Sequence, residues 1–70
     1  VPRDGERITV ALTPEAAAAL ARLQARTGLS KTGLVNRGIS LLELVDGQAA
    51  AGGRVLIQPP DGPAVEVRFL

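Results

Sequence analysis

The chain has 70 residues and is a single small domain, able to bury only about 60% of the surface its unfolded form exposes. It contains no Cys, His, Trp or Tyr, and Phe69 is its one aromatic residue. Those absences exclude disulfide staples, thiolate metal sites, imidazole catalysis and aromatic platforms for single-stranded nucleic acid. The net charge of +1 hides a gradient. Residues 1–40 carry six basic side chains (Arg3, Arg7, Arg22, Arg26, Lys31, Arg37) against Asp4, Glu6 and Glu15. Residues 41–70 carry Arg54 and Arg68 against Glu43, Asp46, Asp61 and Glu66. Pairing two copies doubles the first excess into a usable field for a polyanion. Apolar residues make up 46% of the chain, and nothing staples it, so oligomerisation is the expected way to complete the core.

Residues 1–6 are polar and broken by Pro2 and Gly5, and read as a flexible arm. Residues 7–12, Arg-Ile-Thr-Val-Ala-Leu, alternate. Ile8, Val10 and Leu12 share one face of a strand, and Arg7, Thr9 and Ala11 the other. Thr13-Pro14-Glu15 opens a helix: a hydroxyl to accept orphan amides, a proline suited to the first turn, an acid at the positive end of the dipole. That helix is expected to run to Thr27, with Ala16, Ala17, Leu20 and Leu23 as its apolar stripe and Ala19 beside it. Gly28 is its expected terminator.

Ser30 is the expected N-cap of a second helix over 31–46. Leu34, Val35, Gly38, Ile39, Leu41, Leu42 and Val45 form a stripe too broad for one partner helix. Gly38 sits on that face between Leu34 and Leu42, where it would permit close helix approach. Residues 47–53 read as a flexible linker. Beyond it, alternation returns at 54–58 and 64–69 around Pro59-Pro60-Asp61-Gly62-Pro63, which predicts a β-hairpin. Val55, Ile57, Val65, Val67 and Phe69 form its expected covered face. Arg54, Leu56, Gln58, Glu66 and Arg68 fall on the wet one. A lone hairpin is marginal in water and must dock on something.

A single strand ahead of two capped helices cannot pair within its own chain. The economical solution is an isologous dimer whose two strands pair antiparallel. In Arg7–Leu12, Thr13-Pro14-Glu15, Thr27-Gly28-Leu29-Ser30-Lys31 and the apolar second helix, the sequence resembles the ribbon-helix-helix family of bacterial DNA-binding proteins, the Arc, MetJ and CopG type. The likeness covers residues 7–46. It implies an α+β homodimer: an intermolecular two-stranded antiparallel ribbon with two helices per chain, here followed by the hairpin at 54–70. Such ribbons lie in the DNA major groove.

The resemblance implies base contacts from Arg7, Thr9 and Ala11, where Arg donates to guanine O6 and N7 and Thr meets base edges. Ala11 departs from the polar residues usual at its position. With the two-fold at Thr9, Arg7 faces Ala11 of the other copy and has room to reach. Asp4 and Glu6 lie close by and must be turned from the phosphates or paired, Asp4 with Arg3. Ser30, Lys31 and Thr32 are expected at DNA phosphates. Ile8, Val10, Leu12, Leu34, Gly38 and Leu42 are expected in the dimer core. Arg22, Arg26 and Arg37 read as solvated helix surface, and Asn36 is unassigned.

No acid pair flanks a nucleophile, and neither Ser30 nor Ser40 has a base beside it in the sequence pattern. Catalytic residues, metals and cofactors are therefore not expected. The expected function is sequence-specific binding of double-stranded DNA by a homodimer, as a transcriptional repressor. An alternative is an antitoxin-type module whose C-terminal segment grips a partner protein while DNA binding serves autoregulation. A higher assembly on DNA stays open. No apolar run is long enough for a membrane span, and the chain reads as cytoplasmic and nucleoid-associated.

Overall fold

Two helices and a two-stranded antiparallel sheet follow one another along the chain: α1 (Pro14–Thr27), α2 (Lys31–Ala50), β1 (Val55–Ile57) and β2 (Val65–Val67). The computed structural model describes residues 5–68; Arg3, Asp4 and most of the arm, and Phe69 of the last strand, lie outside the described residues.

α1 starts where its cap chemistry requires. Thr13 is extended, and its Oγ1 accepts the Ala16 amide at 3.1 Å while its carbonyl accepts Ala17 at 2.9 Å. Pro14 occupies the first turn, where an amide hydrogen would have no partner. The helix stops at Gly28, whose φ of 72° lies in the left-handed region. Its amide turns back to the Gln24 carbonyl at 2.9 Å, the single-bond left-handed cap.

Ser30 repeats the device for α2, its Oγ accepting the Gly33 amide at 3.0 Å. The far end differs from the expectation of a helix closing at Asp46 and a linker over 47–53. The helix continues through Gly47 to Ala50. Gln48, Ala49 and Ala50 are good helix formers, and one interior glycine costs only about 1 kcal/mol. Termination waits for Gly52, at φ 89°. There the Gly52 amide donates to Ala49 at 3.1 Å and the Gly53 amide to Gln48 at 2.8 Å, both bonds of a Schellman motif.

β1 and β2 pair antiparallel with Val55 opposite Val67, Leu56 opposite Glu66 and Ile57 opposite Val65. One face is therefore all branched aliphatic. On the other, Glu66 lies between Arg54 (3.8 Å) and Arg68 (3.4 Å). Such exposed pairs contribute about 1 kcal/mol at most; they mark this face as the solvated one.

α1 packs on α2, and β1 packs on α2. Among the described residues only Val45 is buried. Ala19, Leu20, Leu29, Leu34, Val55 and Val67 are half-buried. Two of the expected apolar faces are only partly covered within the single chain. α1 turns Ala19, Leu20 and Gln24 inward, whereas Ala16, Ala17 and Leu23 stay exposed. The sheet's apolar face is half-covered only at the end where β1 meets α2, at Val55 and Val67, while Ile57 and Val65 remain 54% and 55% exposed. The chain exposes 6314 Å² in total, against about 4,100 Å² for a compact monomer of this mass.

Candidate nucleic-acid interface

Residues 7–12 lead directly into the Thr13 cap, so the helix start fixes where the segment leaves α1. They form no helix or strand, and no hydrogen bond ties residues 5–12 to the rest of the described chain. A strand exists only with a ladder partner, and one chain supplies none. Ile8, Val10 and Leu12 stand between 45% and 63% exposed. Arg7, Thr9 and Ala11 alternate with them and are exposed too.

The connector between the helices is tied more tightly than the Gly28 signal alone implies. Thr27 Oγ1 donates to the Leu23 carbonyl at 2.6 Å and accepts the Leu29 amide at 3.2 Å. This hydroxyl holds the last turn of α1 to the first residue beyond the glycine, and so sets the direction in which α2 begins. Sequence reading missed it; the signal was a hydroxyl residue directly before a helix-ending glycine. Replacing Thr27 with Val is expected to cost about 1 kcal/mol by removing both bonds, and Thr27→Ser to cost almost nothing. Urea unfolding of the two variants checks this.

At the start of α2, Ser30 occupies the Gly33 amide with its side chain and the Leu34 amide with its carbonyl. The amides of Lys31 and Thr32 have no acceptor among the described residues. These two N–H groups lie at the positive end of a 20-residue helix whose first residue is the exposed Lys31. Such a terminus favours an anion. Asn36 is committed elsewhere, its Nδ2 donating to the Thr32 carbonyl one turn back at 2.8 Å. It lines a shallow polar groove with Gly33, Arg37 and Ser40.

Leu34 is half-buried, Leu42 is exposed, and a side chain at Gly38 would meet nothing within 4 Å. The six residues expected in a dimer core are thus open or half-open in the single chain. Among the described residues no group of three His, Cys, Asp or Glu could hold a metal. None of the described helices is long and apolar enough to cross a membrane. Comparison with protein-family models, with curated proteins and with solved structures finds no match.

Proposed function

We propose that the chain is a homodimeric, sequence-specific binder of double-stranded DNA, acting as a transcriptional repressor by occupying its operator. The observation that carries this reading is the 7–12 segment. It alternates strictly, leaves its apolar face bare, has no partner in its own chain, and runs straight into a capped helix. Pairing two such segments about Thr9 completes a ladder and joins the two apolar faces. The opposite face then presents Arg7, Thr9 and Ala11 twice over.

Surface area supports a second copy. Two chains must together lose about 5,800 Å² to reach the surface of a compact protein of doubled mass. That places the pair among obligate homodimers, whose interfaces run from about 2,000 to over 5,000 Å². The ribbon has the width to enter the major groove, and Arg7 can discriminate a guanine by two hydrogen bonds. Lys31 and the amides of Lys31 and Thr32, once per copy, grip the phosphates on either side. Phosphate contacts fix position, and ribbon contacts read sequence.

The direct test is a titration of duplex DNA at rising salt. Affinity should fall steeply, with a logarithmic slope of about −0.9 per phosphate neutralised. Absence of duplex binding at low salt rejects the proposal.

Two glycines test the dimer independently. A Cβ at either Gly38 or Gly47 would meet nothing within 4 Å in the single chain, and both are helical. Gly47→Ala is expected to stabilise by about 1 kcal/mol through helix propensity alone. Gly38→Ala should lose that gain, because the partner's α2 crosses there and an added methyl overpacks the contact. Thermal unfolding of both variants at matched concentration reads the difference. Equal stabilisation would place Gly38 away from the interface.

A further inference from the structure

We infer that the apolar face of the β1–β2 pair closes over α2 of the partner copy, so that the C-terminal sheet is a second, reciprocal dimer contact. This rests on the dimer proposed above and goes beyond the ribbon. One continuous face of the sheet is half used: Val55 and Val67 are half-buried and line one open cleft with the chain's own Val45 and Ala49, whereas Ile57 and Val65 are bare. The reverse face, with Glu66 between Arg54 and Arg68, is solvated. The sheet therefore has one side to offer.

α2 offers the matching surface. Its large apolar residues are spread over roughly 220° of the helix at about 100° per residue, more than α1 and one sheet cover, with the long side chains of Arg37 and Gln48 set between Leu44 and Leu41. Leu41 and Leu44, three residues apart on the flank beside Val45, are 55% and 60% exposed. A sheet of only two strands needs such cover to persist in water. The occupant is a second copy because the area still to be buried is that of an obligate homodimer, and three side chains per ribbon strand supply only a small part of it. Two-fold symmetry then makes the contact twice, each sheet on the other chain's Leu41–Leu44 flank.

The absence of cysteine permits a clean test. Leu41→Cys and Ile57→Cys are made in separate full-length chains, mixed, unfolded, refolded together and oxidised. Only a contact between copies can join the two different chains. The heterodisulfide should be the main covalent product, formed about tenfold or more faster than in a control mixture of Glu43→Cys with Ile57→Cys, because proximity raises effective concentration. Glu43 lies about 100° or more round α2 from both Leu41 and Leu44, on the polar side, and is exposed.

A mixture that is dimeric by light scattering and binds duplex DNA, yet links no faster than the control, overturns the sheet contact and leaves the ribbon standing. Preferential Ile57–Ile57 linkage overturns it in favour of sheet meeting sheet. A monomeric mixture overturns both the sheet contact and the dimer beneath it.

Discussion

Replacing Val10 with Asp is expected to leave no folded dimer at micromolar concentration. Val10 lies at the centre of the apolar row Ile8, Val10, Leu12, all of which stand exposed in the single chain. Fully burying an aliphatic side chain is worth about 1.5–3 kcal/mol. Six half-exposed side chains meeting across the two-fold therefore contribute on the order of 5–8 kcal/mol, comparable to the whole stability of a small domain. The substitution removes the central pair and places two unpaired carboxylates in its stead, at several kcal/mol each. Because Val45 is the only buried residue among those described in one chain, loss of the dimer should take the fold with it. Circular dichroism and light scattering should lose their signals together. In the wild-type chain the unfolding midpoint should rise with concentration. Val10→Ile should stay dimeric, and so should Arg7→Ala, which acts on the opposite face. A folded Val10→Asp monomer would show that the chain needs no partner.

The second large effect concerns the division of labour at DNA. Arg7→Ala is expected to cost about 1–3 kcal/mol on the preferred duplex and to relax base choice at one position in each half-site. Lys31→Ala should weaken every duplex alike and flatten the salt dependence by about one phosphate per copy. Both proteins should remain dimers, since neither side chain joins the apolar face. Competition binding with preferred and scrambled duplexes separates the two outcomes. If both variants lose affinity on all sequences equally, Arg7 grips the backbone and reads nothing. If neither changes, the ribbon and the helix terminus do not face DNA.

The parts of the fold that depend on local chemistry were readable from the residues. Thr13, Pro14, Gly28 and Ser30 act at helix ends through bonds reaching three or four residues, so they keep their meaning whatever packs around them. Alternation at 55–57 and 65–67 likewise defined which side chains share a face, and the pairing of Val55 with Val67 follows it. The end of α2 was obscured because Gly47 carries the same letter as Gly52. Only Gly52 adopts the left-handed conformation that ends a helix; Gly47 is simply a tolerated cost within it. Within the single chain α1 half-buries Gln24 and leaves Leu23 exposed, a choice that the run of alanines around them does not make legible. The proposed interface residues are legible only as a pattern of types, Arg7, Thr9 and Ala11 against Ile8, Val10 and Leu12. Their assembly depends on a second copy that no local rule supplies.

Selection of bound sequences from random duplex DNA by the wild-type chain tests the central claim most directly. A dimer reading through a two-fold ribbon should enrich a short inverted repeat, with a guanine at the same place in each half-site where Arg7 reaches the groove. Arg7→Ala should lose the preference at that guanine and keep the rest. Recovery of no motif, or of an asymmetric one that the Arg7 variant enriches equally well, would contradict the account.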